Sequence, residues 1–226
     1  MVRTIDRGFF VTLEGIEGCG KSSHSRRLWK RLVEFGYPGV LTHEPGGTPV
    51  GEAIRKIVLD PSTGEIDPLT EVFLFEAARR EHVVKVIRPA LERGNIVLCV
   101  RFTDSTLAYQ GFGRGLPHDV LENLNRTATE NLIPDLTLFL DVEPEEGLRR
   151  SLRHTDDVEL RFEREFLSRC GLLEKIREGF YELCRRYPER FVRISTMEER
   201  DCVFQEIIDV VVKRIMIKQG GNGSHG

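Results

Sequence analysis

The segment Gly15-Ile16-Glu17-Gly18-Cys19-Gly20-Lys21-Ser22 reads G-x-x-x-x-G-K-S and directly follows the apolar run from Phe9 to Leu13. Glycines at this spacing let successive backbone N–H groups turn inward around a polyphosphate. Lys21 supplies a point charge for the β- and γ-phosphates, and Ser22 supplies a hydroxyl for Mg²⁺. Residues 22–33 have the apolar spacing of a helix. The segment therefore predicts a strand, a phosphate-binding loop and a helix in succession.

The size and charge of the chain limit what it can bind. With 226 residues and a net charge of -3, it fits one domain without a general attraction to nucleic acid or anionic membranes. Five cysteines without metal-finger spacing favour reduced thiols rather than disulfides or zinc. The N-terminus lacks the apolar core of a signal peptide, and no run approaches the roughly 18 apolar residues of a membrane span. We expect a cytoplasmic protein with a small ligand and no nucleic-acid or membrane partner.

Short apolar runs alternate with longer amphipathic stretches along the chain. The runs predict five strands: Phe9 to Leu13, Val40 to Thr42, Ile96 to Val100, Leu136 to Val142 and Phe191 to Ile194. The stretches predict helices at Ser22 to Phe35, Val50 to Val58, Leu69 to Glu92, Asp119 to Glu130, Pro144 to Leu152, Glu159 to Tyr187 and Glu198 to Ile217. Several runs are apolar on both faces, as in central parallel strands covered by helices. The pattern predicts a doubly wound α/β fold with its ligands at the carboxyl ends of the strands.

Two candidate segments lie at or near the predicted binding edge. Glu44 and Pro45 begin a glycine-containing turn after the second strand, and the next helix carries Arg55. Taken alone, this segment also fits an ordinary strand-to-helix turn. Phe75 and Arg79 stand at i and i+4, so an aromatic ring and a guanidinium share one helix face and suit a planar base. Equally, Phe75 could be a core residue and Arg79 a solvated one.

Arg101 ends the third strand, where a bidentate phosphate contact could lie opposite the loop. A surface salt bridge is the alternative interpretation of Arg101.

Further along the chain, Arg149, Arg153 and Arg161 flank the turn-like residues 154–158. Such arginines suit a segment that closes over a migrating phosphoryl group, and they equally suit a solvated helix face. Cys19 fits a small loop filler better than a stabilised thiolate.

Taken together, the motifs resemble those of the thymidylate (dTMP) kinase family, and they span nearly everything from Phe9 to Ile194. The ordered set is the phosphate loop, EPGGTP, FLFEAARREHV, RFTDSTLAYQG, PDLTLFLDV and RFERE followed by REGFYEL. The resemblance implies a P-loop kinase fold, with a five-stranded parallel sheet, helices on both faces and a small lid at about 149–165. It implies one domain over residues 1–218, while residues 219–226 lack an apolar anchor and should be disordered.

The resemblance also implies a reaction, ATP-dependent phosphorylation of dTMP to dTDP by a homodimer that uses Mg²⁺. The implied nucleotide-binding residues are Gly15, Ile16, Glu17, Gly18, Cys19, Gly20, Lys21, Ser22 and Ser23, with Ser22 and Glu17 toward the metal. The implied substrate-binding residues are Glu44, Pro45, Arg55, Phe75, Arg79, Arg101, Ser105, Thr106, Tyr109 and Gln110. The implied catalytic residues are Lys21, Arg101, Arg153, Arg161 and Glu17. A phosphate loop with Glu17 and no arginine resembles the bacterial type, in which the lid supplies the catalytic arginines.

Three positions depart from the family pattern and keep alternatives open. Val100 stands where the family usually has an aspartate, Leu160 replaces an aspartate of the lid, and His43 replaces a frequent arginine. We hypothesise that Glu17 compensates for the missing acid, through a metal-bound water or by orienting the acceptor phosphate. The alternatives are a kinase for another nucleoside monophosphate or small alcohol, and a nucleotide-binding regulator that has lost catalysis. A GTPase switch is disfavoured because the sequence lacks an N-K-x-D motif.

Overall fold

The computed structural model of the chain describes Ile5, residues 8–153 and residues 171–220. Five parallel strands form one sheet in the order β2-β3-β1-β4-β5. The strands are β1 (Phe9–Glu14), β2 (Gly39–His43), β3 (Ile96–Val100), β4 (Leu136–Asp141) and β5 (Phe191–Ser195). The predicted α/β fold with a five-stranded parallel sheet is confirmed, and every strand end lies within one residue of its predicted position.

Helices connect the strands and cover the sheet. The α-helices are α1 (Lys21–Glu34), α2 (Pro49–Leu59), α3 (Pro68–His82), α4 (Arg88–Glu92), α5 (Thr103–Thr106), α6 (His118–Thr129), α7 (Pro144–Ser151), α8 (Leu172–Arg186) and α9 (Arg200–Gly220). Two π-helical segments, Val83–Ile87 and Leu107–Gly113, continue α3 and α5, and Pro61–Thr63 forms a short 3₁₀ turn.

The structure differs from the predicted helices in several places. The single helix predicted from Leu69 to Glu92 contains a π turn, because Pro89 has no N–H to continue the regular ladder. Residues 103–113 were not predicted to be helical. The predicted helix from Glu159 is described only from Leu172, and α9 continues past Ile217 to Gly220. Residues 221–226 lie outside the described residues.

Both faces of the sheet are buried under helices. Phe10 of β1 belongs to a core with Ile87 and Leu91, from the helical segment between β2 and β3. The neighbouring residue Val11 points to the other face, in a larger core that includes Leu28 of α1. This alternation is the pattern expected of a central parallel strand. Among the described helices, none is long and apolar enough to cross a membrane.

The strand order places the phosphate loop at the centre of the binding edge. β1 lies between β3 and β4, so the chain connects from β1 toward one edge of the sheet first and toward the other edge later. The loop after β1 therefore lies at the topological switch point, where ligands bind in open α/β sheets. Glu44 and Arg101, which follow β2 and β3, lie at the same carboxyl edge. Capping fixes the approach of α2, where the Thr48 hydroxyl accepts a hydrogen bond from the N–H of Gly51 at 3.0 Å.

Candidate active site

One cleft of about 1390 Å³ runs along the carboxyl edge of the sheet. This volume exceeds that of a typical pocket for one small molecule, so two nucleotides have room in it. Nearly all the predicted site residues of the described chain line it: Glu17, Gly18, Cys19, Gly20, Lys21, Ser22, Ser23, Glu44, Pro45, Arg55, Phe75, Arg79, Arg101, Ser105, Thr106, Tyr109, Gln110 and Arg153. Gly15 and Ile16 precede the lining part of the loop, and Arg161 lies outside the described residues.

Lys21 is folded onto the phosphate loop. Its Nζ donates to the carbonyl oxygens of Gly15 and Ile16, both at 2.8 Å, and lies 3.3 Å from the sulfur of Cys19. Burial and the nearby charge of Arg101 lower the pKa of Lys21. The ammonium is therefore a poorly solvated donor beside the cleft, which favours exchange of a carbonyl partner for an anionic oxygen.

The phosphate loop packs backbone to backbone against α7. Gly18 has φ of 71°, and a Cβ built there would lie 1.9 Å from the carbonyl oxygen of Gly147. A Cβ on Gly147 would in turn lie 2.6 Å from the carbonyl oxygen of Glu17. Glycine is required at both positions because a side chain on either would separate the loop from the helix.

Glu17 is held by two donors from the other side of the cleft. Arg101 Nη2 donates to Glu17 Oε1 at 2.7 Å, and the Tyr109 hydroxyl donates to the same oxygen at 2.9 Å. Burial opposes the charge of Arg101, but Tyr109 and Glu17 outweigh it and raise the pKa of the guanidinium. Arg101 is therefore a permanent cation, and its ion pair is built into the cleft instead of lying on the surface.

The chain turns sharply at Arg101. This residue has φ of 66°, in the left-handed region that a non-glycine residue rarely adopts. The following N–H, of Phe102, donates to Glu14 Oε1 at 2.7 Å. The Ser105 hydroxyl donates to Glu14 Oε2 at 2.6 Å and accepts from Arg101 Nη1 at 3.3 Å. The turn therefore directs the guanidinium into the cleft and is held from below by a buried carboxylate.

Arg79 is 3% exposed, so the alternative of a solvated arginine is wrong. Nε donates to Glu44 Oε2 at 2.8 Å, and Nη1 donates to Asn125 Oδ1 at 2.6 Å. Its five hydrogen-bond partners are Glu44, Glu76, Phe102, Thr106 and Asn125. Although burial disfavours its charge, Glu76 and Glu44 raise its pKa. The guanidinium is a fixed, preorganised cation in the wall of the cleft.

Glu44 joins Arg79 to a buried histidine. His82 Nδ1 lies 3.0 Å from Glu44 Oε1, and His82 Nε2 lies 2.7 Å from the Thr42 hydroxyl. Burial alone would raise the pKa of Glu44, but Arg79 and His82 hold it below its usual value. Both imidazole nitrogens and both carboxylate oxygens have protein partners, which favours a structural network over a metal site.

The remaining residues predicted to bind the acceptor give part of the cleft an aromatic lining. Phe75 is half-buried against the small core formed by Val58, Leu59 and Ile66, and it faces the cleft together with Arg79. Gln110 is 3% exposed, and its Nε2 donates to Glu71 Oε1 at 2.9 Å. Because a carboxylate only accepts hydrogen bonds, this contact turns the carbonyl of Gln110 away from Glu71.

The opposite wall of the cleft is basic. Arg149 and Arg153, predicted for the lid, line it together with Arg150 of the same basic stretch. Arg200 also lines it and was missed by the sequence reasoning. Glu146 accepts hydrogen bonds from Arg149 at 2.6 Å and from Arg150 at 2.6 Å. A cluster of guanidinium groups beside the phosphate loop suits a polyphosphate.

The family model for thymidylate kinase matches residues 13–207. The chain belongs to the thymidylate kinase family. A thymidylate kinase of Geobacter sp. strain M21 is 50% identical over 192 residues, which cover 83% of this chain and 84% of that protein. The thymidylate kinase of Geobacter sulfurreducens is 44% identical over 213 residues, covering 92% and 98%.

A solved structure supports the same assignment. The crystal structure of thymidylate kinase from Ehrlichia chaffeensis superposes with a TM-score of 0.73 at 34% identity, covering 91% of this chain and 98% of that one. The resemblance of the sequence motifs to the thymidylate kinase family is therefore confirmed. Membership makes the chain a nucleoside monophosphate kinase and disfavours the GTPase and regulator alternatives.

The cleft of this thymidylate kinase family member offers few oxygen ligands for Mg²⁺. Ser22 is exposed at the end of the phosphate loop, and Glu17 is the carboxylate of that loop that lines the cleft. Val100 lines the cleft but has no oxygen to offer beyond its backbone. Mg²⁺ keeps several waters and needs only one or two protein ligands beside nucleotide phosphates, so Ser22 fits it directly. Glu17, whose oxygens already accept from Arg101 and Tyr109, fits it through a metal-bound water.

Several supporting residues could not be identified from the motifs. Glu71 and Asn125 are buried around Arg79 and Gln110, but nothing in their local sequence marks them as partners. Glu76 did carry a local signal, because it stands three residues before Arg79 on one helix. Glu14 did carry a signal, because it is an acidic residue at the end of the apolar run that enters the loop. A buried acid in that position points to a partner near the cleft.

Proposed function

We propose that the protein transfers the γ-phosphoryl group of ATP to the phosphate of dTMP, giving dTDP and ADP. The observation that carries the proposal is one cleft lined by two sets of cations. Lys21 with the phosphate loop forms the first set, and the buried Arg79 together with Arg101, which is ion-paired to Glu17 of that loop, forms the second. Two polyanionic substrates need such an arrangement, because their mutual repulsion must be offset before the phosphoryl group can move.

The donor half is assigned to the loop and the basic wall. Residues 15–23 hold the triphosphate of ATP through backbone N–H groups, and Lys21 donates to its β- and γ-phosphates. Ser22 and Glu17 would hold Mg²⁺, which neutralises charge on the phosphate oxygens when bound. Arg149 and Arg153 stabilise charge on the migrating group. Arg161 has the same proposed role and lies outside the described residues.

The acceptor half is assigned to the preorganised wall. Arg101 binds the phosphate of dTMP, Phe75 stacks on thymine, and Arg79 donates toward the base. The carbonyl of Gln110, turned away from Glu71, accepts from the N3–H of thymine. Tyr109 packs beneath the deoxyribose, where a 2′-hydroxyl would be excluded. Four further residues, Glu44, Pro45, Ser105 and Thr106, border this pocket, and Arg55 supports the turn by donating to the carbonyl of Pro45 at 3.2 Å.

No covalent enzyme intermediate is needed in this mechanism. The acceptor phosphate oxygen attacks the γ-phosphorus directly, and the bond from that phosphorus to the β-bridging oxygen breaks. The protein contributes positioning and charge neutralisation. Arg79 and Arg101 are already held in place by protein hydrogen bonds, so their side chains need to rearrange less when the acceptor binds.

A coupled assay of ADP release with and without dTMP tests the proposal. We expect ADP release to depend on dTMP, and dTDP to form in equal amount. The turnover rates with dTMP, dUMP, dGMP and UMP are compared under the same conditions. This comparison distinguishes a dTMP kinase from a kinase for another nucleoside monophosphate. Binding of ATP and dTMP without any dTDP would instead identify a regulator that has lost catalysis.

We include a homodimer and a cytoplasmic location in the proposal. Leu69 and Phe73 are exposed at i and i+4 on α3, and Val120 is exposed on α6, which packs against α3. Light scattering coupled to gel filtration tests the dimer, and a monomer mass would contradict it.

The four cysteines of the described chain are free thiols, which supports a location in a reducing compartment, the cytoplasm. Cell fractionation tests the location.

A further inference from the structure

We propose that Glu14 is a positioning residue that holds Arg101 in place for the acceptor phosphate, acting through Ser105 and the backbone of Phe102. The inference rests on the proposed function, because it takes Arg101 as the group that binds the phosphate of dTMP. Glu14 itself is fully buried and does not touch the cleft. Its effect on the substrate is therefore indirect.

The two carboxylate oxygens of Glu14 hold Arg101 at two separate points. Oε1 accepts from the N–H of Phe102 at 2.7 Å, which fixes the peptide that follows Arg101. Oε2 accepts from the Ser105 hydroxyl at 2.6 Å, and Ser105 in turn accepts from Arg101 Nη1 at 3.3 Å. One carboxylate thus restrains both the backbone and the side chain of the same arginine.

The backbone at Arg101 needs such restraint. Among the described non-glycine residues, only Arg101, Glu130 and Asn131 have a positive φ. A left-handed arginine persists only where surrounding bonds determine its conformation. The Arg101 N–H donates to Leu13 at 3.0 Å, and the Cys99 thiol donates to the Arg101 carbonyl at 3.1 Å. Glu14 completes this set on the following peptide.

The protonation of Glu14 controls the direction of these bonds. Burial and the nearby Asp104 raise the pKa of Glu14 to about 7, although Ser105, Arg101 and the Phe102 N–H act in the opposite direction. A proton on Oε2 would donate to Ser105. The Ser105 hydroxyl would then no longer donate to a carboxylate, so its oxygen would lose the polarisation that strengthens its acceptance from Arg101 Nη1, and the link between Glu14 and Arg101 would weaken.

Besides Arg101, the charged or titratable side chains that interact with Glu14 are Asp104 and Cys99. Asp104 of α5 is paired with Arg190, which donates to it at 2.7 and 2.8 Å. Cys99 of β3 is a buried thiol whose pKa is raised well above its ordinary value, first by burial. On β4, the residue paired with Glu14 is Phe139, which does not titrate. Glu14 is thus the group in this cluster that changes charge near neutral pH.

The test is the Glu14→Gln variant, with steady-state constants for both substrates measured from pH 6 to 8. The amide keeps an acceptor for the Phe102 N–H but presents a donor to Ser105, as a protonated carboxyl does. We expect KM for dTMP to rise about tenfold at pH 8, as for the loss of a hydrogen bond to a charged group. We expect KM for ATP to change less than about twofold, because the donor site is not involved.

The ratio of kcat/KM for dTMP between wild type and Glu14→Gln provides the second readout. We expect this ratio to fall toward one as the pH falls from 8 to 6, because acid converts wild-type Glu14 to the protonated form. The ionisation of dTMP itself cancels in the ratio. Ser105→Ala removes the same link without altering a buried charge, and we expect it to raise KM for dTMP and to flatten the pH dependence in the same way.

Asp135→Asn is the matched control. Asp135 also accepts a hydrogen bond from a β1 N–H, that of Phe10 at 2.8 Å, but it lies at the opposite end of the strand. We expect its KM values to match those of wild type.

A folded Glu14→Gln enzyme with wild-type KM for dTMP at every pH would overturn the positioning role. If Glu14→Gln does not fold, an unchanged KM and pH profile in Ser105→Ala would overturn it. An equal rise in KM for ATP and dTMP would also overturn it, since that result indicates a general structural role. Failure of the wild-type enzyme to form dTDP would instead overturn the proposed function.

Discussion

Arg101 and Glu17 form an ion pair in the lining of the cleft, with 2.7 Å between Nη2 and Oε1. The pair joins the end of β3 to the phosphate loop after β1. Arg101 also contacts the ring of Tyr109, with 4.8 Å between the guanidinium carbon and the ring centre. The residues proposed to bind the donor and the acceptor are therefore connected by a charged contact before either substrate binds.

We predict that Glu17→Gln lowers the affinity for Mg²⁺ by about tenfold or more, as loss of a metal-supporting carboxylate commonly does. Glu17 is the carboxylate of the phosphate loop that lines the cleft, while Val100 lacks a carboxylate. Titration of activity with Mg²⁺ at fixed ATP measures the change. Unchanged Mg²⁺ dependence together with unchanged turnover would contradict the idea that Glu17 compensates for Val100.

Removal of the loop lysine tests the donor half. We expect Lys21→Ala to reduce kcat by about 10²- to 10³-fold, as for loss of one preorganised donor to transition-state charge. The fold should survive, because the bonds of Lys21 to Gly15 and Ile16 are local. Lys30→Ala, on the exposed part of α1, serves as the control for charge loss. Near-normal turnover in Lys21→Ala would rule out the mechanism.

Base selectivity tests the orientation of Gln110. Glu71→Gln can donate where the carboxylate could only accept, so the Gln110 amide is free to reverse and present its NH₂ group to the base. Cytosine has an acceptor at N3 where thymine has a donor. We expect the preference for dTMP over dCMP, measured as the ratio of kcat/KM, to fall about tenfold. The exposed Glu65→Gln variant should keep the wild-type ratio, and the same ratio in both variants would contradict the proposed orientation.

His24 and Glu14 are expected to change the free energy of unfolding in opposite directions as the pH rises. Burial, with Arg200 and Arg27, lowers the pKa of His24 to about 4, so its contribution is present above pH 6.5 and is lost as the pH falls toward 4. The raised pKa of Glu14, about 7, has the opposite sign: its contribution is present below about 4.5 and is lost as the pH rises through 7.

Between pH 5 and 6.5 these two contributions act in opposite directions. Relative to wild type, we expect the free energy of unfolding of His24→Gln to fall with rising pH, and that of Glu14→Gln to rise. Each slope is at most about 1.4 kcal/mol per pH unit, the limit for one titrating group. Urea denaturation at pH 5, 6 and 7 measures it. Parallel curves for all three proteins would show that neither group titrates differently on folding.

The sequence predicted the strands well because their signal is local. Runs such as Ile96–Val100 are apolar on both faces, and turn residues bound them, so every strand end was placed within one residue. Residues 103–113 were missed because their apolar and polar residues alternate irregularly and include Gly111 and Gly113. Their helical form depends on packing against α8, which is distant in sequence.

The site shows the same division between local and long-range information. The loop and Arg101 were predicted from motifs and position at strand ends. The burial of Arg79 was not, because its partners Asn125 and Thr106 lie 46 and 27 residues away and come together only in the folded chain. Pairings at such separations leave no periodic signal in a single sequence.

The contact between Gly18 and Gly147 also limits how this enzyme can be redesigned. Two main chains that touch leave no volume for a side chain at either position, so no compensating substitution at one can accommodate a larger residue at the other. A phosphate loop transplanted from a distant kinase would have to bring its own α7 with it. The unit that can be exchanged as a module is therefore the loop and the first turns of that helix together.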